Sequence, residues 1–228
     1  MPGCAVGTSV QTALTLDGEQ AANAATIAAV GRRLGLPDHA VTVALATAIQ
    51  ESGLHNLRSG DRDSLGLFQQ RPSQGWGAPS AILTPRRSAA AFYARLRKVH
   101  GWRQLSVNDA AQAVQHSGQP TAYAQWEDQA RALAQVFTGE VSAGIRCTVQ
   151  RSSVRVDDPT VRTLARLELG ASGLQPTTAA GAWASAAWLV AHADMLHLQT
   201  VAVRGRQWRA RTGAWSPVAS PRGGLTYS

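Results

Sequence analysis

The sequence predicts a mainly α-helical domain over residues 1–150, followed by a small α+β module over 151–228. Three observations predict it. Capped helical patterns rich in small residues recur from residue 17 to residue 137. Composition shifts after Cys147, and two short alternating runs flank Gly205 near the C-terminus.

The first helix is expected over 17–36, where Asp17 and Gln20 stand at capping-box spacing and Gly35 ends the pattern. Pro37 and Asp38 open a second helix that runs to about Ser52 and stops at Gly53. Val41–Ile49 is apolar or small on nearly every side, which marks a helix buried at the centre of its domain. Residues 54–83 are rich in glycine and proline, and a loop region of that length is usually functional or disordered. Thr84-Pro85 starts a helix to about His100, Ser106 with Asp109 starts one to about Ser117, and another runs from Pro120 to Phe137 before Gly139. In the module, 158–169 and 178–197 read as helices, and Thr200–Arg204 and Gln207–Arg211 as a hairpin. Residues 216–228 read as a frayed tail.

Composition narrows the function classes. The apolar share of 44% supports a packed core, while the charged share is only 16%. Lys and Arg outnumber Asp and Glu by 22 to 14, for a net charge of +8, which draws a protein toward polyanions. The arginines are scattered, which argues against a dedicated nucleic-acid footprint. No apolar run reaches the roughly 18–20 residues that span a bilayer, so a channel or transporter is excluded. Met1-Pro2-Gly3-Cys4 has neither a basic n-region nor an apolar h-region, so an exported form would need a signal or membrane anchor that these residues do not supply. The two cysteines, Cys4 and Cys147, are either free thiols or a disulfide. Their even count, their lack of metal-type spacing and their bracketing of the motif-rich segment favour the disulfide, and with it an oxidising compartment. The six histidines show no metal-ligand spacing. Asp61-x-Asp63 supplies two oxygens of a calcium-type loop, but too few others come after them. No metal and no cofactor is expected.

Glu51 closes the buried helix in Ala48-Ile49-Gln50-Glu51-Ser52-Gly53, with the small neighbours Ala44, Thr47 and Ala48 leaving room before its carboxyl group. An apolar setting favours the protonated form of a carboxyl, which is what a general acid needs near neutral pH. The other reading is an ordinary helix-terminal Glu in a local salt bridge. A motif shortly downstream separates the two. Gly60-Asp61-Arg62-Asp63-Ser64-Leu65-Gly66-Leu67-Phe68-Gln69-Gln70 contains Gly-Leu-x-Gln after a Glu-Ser pair. In this the chain resembles the lysozyme-like superfamily of goose-type lysozymes and soluble lytic transglycosylases. Between Cys4 and Cys147 it is similar to exported actinobacterial lysozyme-like proteins.

The resemblance implies a lysozyme-like fold for the first domain and peptidoglycan or a related cell-wall glycan as partner, cut outside the cytoplasmic membrane. Glu51 would protonate the leaving glycosidic oxygen. Ser52, Gly66, Gln69 and Gln70 would line the substrate site, Gly66 by admitting a close approach to the sugar and Gln69 through its amide. Gln69 can equally brace its own loop. Asp61, or else Asp63, would be the second carboxylate that activates water in an inverting hydrolase. Both can equally be turn formers. Goose-type enzymes can carry another Asp just after the motif. Here Arg71 stands there, which favours a lytic transglycosylase, whose substrate closes a 1,6-anhydro ring with its own C6 hydroxyl. Trp76, between Gly75 and Gly77, either stacks on sugar or plugs the core, and Tyr123 would orient the Glu51 carboxyl. The C-terminal module resembles one appended to actinobacterial cell-wall hydrolases, and its Trp208 and Trp215 either fill a core or offer a platform to glycan or an envelope protein. The alternative function is a non-catalytic lysozyme-fold module that binds wall polymer or an envelope partner as a scaffold. A nucleic-acid binder rests on charge alone and is set aside.

Overall fold

The capping box forms as expected: the Asp17 amide donates to Gln20 Oε1 at 2.9 Å and the Gln20 amide to Asp17 Oδ1 at 2.8 Å. The computed structural model describes residues 3–7, 14–150, 153–154, 156–218 and 224–228. Their elements are mixed α+β, with eight α-helices and two small antiparallel sheets among the described residues. None of these helices is long and apolar enough to cross a membrane. The packing divides the chain into two units, Thr26–Ala134 and Met1–Ala25 with Gln135–Ser228. That grouping differs from the expected 1–150 and 151–228, because residues 135–150 pack with the C-terminal segment.

The first unit holds the second half of α1 (Gly18–Arg33), then α2 (Asp38–Ser52), α3 (Pro79–Ile82), α4 (Pro85–Leu96), α5 (Val107–Gln115) and most of α6 (Glu127–Thr138). In α2 every residue from Ala40 to Ala48 is buried, as its small and apolar composition requires. Its threonine hydroxyls donate back to the helix, Thr42 to Asp38 O and Thr47 to Val43 O, so no lone hydroxyl weakens the core. Gly53 takes the left-handed conformation at φ 61° and ends α2 there. Phe68 stacks on Phe92 with centroids 4.7 Å apart, and the buried Tyr93 hydroxyl donates to Ile27 O at 3.0 Å. A Cβ at Gly31 would lie 2.8 Å from that hydroxyl, so the glycine admits the ring. Ser106 caps α5 by accepting from the Asp109 amide. The last helix starts at Glu127 rather than near Pro120, since residues 120–126 form turns and a 3₁₀ segment.

The second unit contains the β-structure. β1 (Gly3–Val6) lies between β2 (Leu14–Leu16) and β3 (Ile145–Thr148), an antiparallel sheet that composition does not announce. Cys4 faces Cys147 in the β1–β3 register, and the two form a disulfide with an S–S distance of 2.06 Å. Then come α7 (Asp158–Leu169) and α8 (Ala179–Ala191), the latter ending earlier than expected. β4 (Thr200–Val203) and β5 (Arg206–Arg209) form the expected hairpin, with Arg204 and Gly205 both at positive φ in its turn. β6 (Trp215–Pro217) pairs with β5, and β7 (Thr226–Tyr227) with β4. The expected frayed tail is therefore strand at both of its described ends, because the free edges of the hairpin accept it; residues 219–223 lie outside the described residues. Trp208 is 0% exposed and donates to Cys147 O at 3.1 Å, and Trp215 donates to Ile145 O at 2.8 Å. Trp208 is thus core, not a platform. These bonds, with the Val149 amide on Ala210 O, bind β3 to the hairpin and explain why the compositional break is not the packing break. Trp188 donates to the buried Glu168 carboxylate at 2.7 Å, which fastens α8 to α7.

Candidate active site

Every residue singled out for chemistry lies within Thr26–Ala134. Glu51 and Ser52 form the last turn of α2, half-buried, just before the left-handed Gly53 turns the chain away. The Tyr123 hydroxyl donates to Glu51 Oε1 at 2.7 Å. Tyr123 is itself 0% exposed, so this phenol is fixed by its packing. Its pKa is pushed above the ordinary tyrosine value, first by burial and then by the hydrogen bond and charge of Glu51. It therefore stays a donor at any pH a cell meets. The residue before Glu51 is held too: Gln50 Oε1 accepts from Trp126 Nε1 at 2.6 Å and from Gln125 Nε2 at 3.2 Å.

The Gly-Leu-x-Gln segment is a four-residue turn, Gly66 to Gln69, closed by reciprocal backbone bonds between Leu65 and Gln70 at 3.0 and 2.9 Å. Leu67 and Phe68 are fully buried and anchor the turn in the core. Ser52 Oγ donates to Leu67 O at 2.8 Å, sharing the proton with Ala48 O at 3.0 Å. Gln115 Nε2 donates to Phe68 O at 2.8 Å. The expected Glu-Ser pair thus splits its work, with Glu51 presenting the carboxyl group and Ser52 tying α2 to the turn.

Several residues expected to touch substrate are placed as braces. Gly66 has φ 74°, and the space a side chain would fill is taken by Ile82 O at 2.9 Å. Protein packing by itself demands this glycine. Gln70 is 1% exposed and donates to Ser88 O at 3.1 Å, so it joins the turn to α4. Gln69, at φ 45°, donates to Gly66 O at 3.2 Å, and its carboxamide lies against Gly60.

The two aspartates differ sharply. The Asp61 side chain is 87% exposed and faces Arg62 Nε at 3.9 Å. Asp63 accepts from Arg71 Nε at 2.8 Å and from the Ser73 amide and hydroxyl at 2.8 and 3.0 Å. The Arg71 hydrogen bond, with those of Ser73, holds the Asp63 carboxyl well below the usual carboxylate range. Arg71, which stands in the sequence where an acid is expected, is thus the partner of Asp63. Trp76 is half-buried, with Arg95 Cζ 3.5 Å from its ring centroid. Gln50, Gln115, Arg95 and Trp126 carry no signal in the sequence, since no local motif marks a partner that folding brings from another element.

No three His, Cys, Asp or Glu among the described residues are grouped to hold a metal ion. No protein-family model matches the chain, and no curated protein matches it. The geometry alone therefore carries the chemical argument: one carboxyl group, oriented by a buried phenol, at the end of a rigid helix and beside a pinned turn.

Proposed function

We propose that this chain cleaves the glycan strands of peptidoglycan outside the cytoplasmic membrane, as a lytic transglycosylase with Glu51 as both acid and base. The observation that carries the reading is the 2.7 Å hydrogen bond from Tyr123 to Glu51. It fixes one carboxyl oxygen and so aims the other. Protonated Glu51 gives its proton to the leaving O4 as the C1–O4 bond breaks and the sugar gains oxocarbenium character. The Glu51 carboxylate then takes the proton of the substrate's C6 hydroxyl, whose oxygen bonds to C1 and closes a 1,6-anhydro ring. Glu51 ends protonated, as it began. The solvent-facing Asp61 and the commitment of Asp63 to Arg71 support a route without a second catalytic carboxylate. The disulfide supports an oxidising, extracytoplasmic setting.

That same commitment of Asp63 also favours a second reading, a module that holds wall glycan or an envelope protein without cutting. Dye-labelled peptidoglycan sacculi separate the two. The unmutated chain is expected to release soluble dye, and Glu51→Gln to lower the rate by about 10²–10⁴-fold while still sedimenting with the sacculi. Sedimentation without release by the unmutated chain would favour the binding module.

A further inference from the structure

Packing surrounds the Tyr123 ring, but the segment that carries it has little apolar burial of its own. From His116 to Gln125 only Ala122 and Tyr123 are buried. The position of this backbone sets how far the Tyr123 hydroxyl lies from Glu51. Polar contacts from two helices fix it. Asn108, on α5, donates through Nδ2 to Pro120 O at 2.9 Å and accepts from the Tyr123 amide at 3.3 Å. A segment anchored on that side alone could still swing. The second anchor comes from α2, where Gln50 Oε1 takes Trp126 Nε1 at 2.6 Å and Gln125 Nε2 at 3.2 Å.

Gln50 and Glu51 are neighbours on the last turn of α2, so their side chains leave the helix about 100° apart. Tyr123 and Trp126 are three residues apart across the 3₁₀ segment, with the Trp126 amide on Tyr123 O at 3.1 Å. At three residues per turn their side chains leave on the same side. Two adjacent residues of α2 therefore meet two residues of one side of the segment, Glu51 with Tyr123 and Gln50 with Trp126. A single hydrogen bond fixes a distance but leaves rotation about its axis, whereas two contacts side by side fix both. An indole N–H only donates, so Gln50 must present its carbonyl oxygen to Trp126. Gln125, on that same oxygen, also donates to Ala122 O at 3.2 Å, which carries the hold to the residue before Tyr123.

We propose that Gln50 is a positioning residue for the Glu51 carboxyl group, acting through Trp126 and Tyr123. It touches no reacting atom. The role rests on the reading of Glu51 as the catalytic acid, but the contact it governs can be read on the full chain without turnover. The chain has three tyrosines, so isotope labelling of their Cζ carbons gives three resonances, and Tyr123→Phe identifies the one that belongs to Tyr123. Glu51→Ala removes the acceptor of that phenol and marks where the resonance lies without it. Gln50→Leu keeps the bulk and removes the oxygen that takes the indole. It is expected to move the resonance most of the way to its Glu51→Ala position. Trp126→Phe removes the same bond from the other side and should do the same, so the test stands if one of the two variants does not fold. On dye-labelled sacculi Gln50→Leu should lower the maximal rate by up to about tenfold and leave the half-saturating amount of sacculi unchanged. In a Tyr123→Phe background the same change should cost less than about twofold, because the contact it serves is already gone. A brace that served stability alone would leave the resonance in place and lower the rate by the same factor in both backgrounds. A resonance unmoved by Gln50→Leu and Trp126→Phe, or rate losses that multiply with Tyr123→Phe, would overturn the role. A moved resonance in a chain that releases nothing from sacculi would sink the cleavage reading and leave the hold of Gln50 on the Glu51 carboxyl group standing.

Discussion

Tyr123 is the residue through which Glu51 is held, and its value lies in burial: packing surrounds the phenol and burial raises its pKa, so it remains a hydrogen-bond donor. Tyr123→Phe keeps the ring in the core and removes one hydroxyl. Release of dye from sacculi is expected to fall about tenfold, the rate equivalent of roughly 1.4 kcal/mol in positioning. Unfolding free energy should change by no more than about 1–2 kcal/mol. A rate equal to that of the unmutated chain would remove Tyr123 from the mechanism. Glu51 and the Gly66–Gln69 motif are marked in the sequence by residue type and spacing, whereas Tyr123 is picked out there only through the resemblance to lysozyme-like enzymes. The ion pair of Arg71 with Asp63 is not legible, since either side chain is equally at home in solvent until the loop folds. Ser52 and Gln70 can be picked out as motif members, yet only the fold assigns them to Leu67 O and Ser88 O.

At the scale of elements, the turn from Gly66 to Gln69 depends on a backbone conformation that side chains resist. Gly66→Ala faces two costs, a positive φ of 74° and a Cβ 2.9 Å from Ile82 O. Urea denaturation should show a loss of about 2–4 kcal/mol, from the strained conformation and the collision together. A loss below about 0.5 kcal/mol would mean that the turn is not packed against α3. The helices are readable for a related reason: Asp17 with Gln20, Ser106 with Asp109, and the left-handed Gly53 are local signals that act within a few residues. β1 and β2 are three or four residues long and show no sustained alternation. β1 pairs with β3 across most of the chain, and no local pattern encodes that partnership. The tail hides its strands for the same reason, since β7 is a strand only because β4 offers it an edge.

For the molecule as a whole, the Cys4–Cys147 bond constrains the unfolded chain across a separation of 143 residues. In the chain-entropy treatment a loop of that size stabilises the fold by about 5 kcal/mol. Cysteine count and position place the bond correctly, but composition divides the chain differently, because the indoles of Trp208 and Trp215 draw β3 into the C-terminal unit. The basic charge of +8 agrees with a partner that is itself acidic. The claim on which the functional account turns is that Glu51 alone does the work of acid and base. Mass spectrometry of the fragments released from purified peptidoglycan tests it most directly. Cleavage by Glu51 alone gives 1,6-anhydro termini, produced as well by Asp61→Asn as by the unmutated chain and absent with Glu51→Gln. Reducing termini, or fragments that persist in Glu51→Gln, would contradict it.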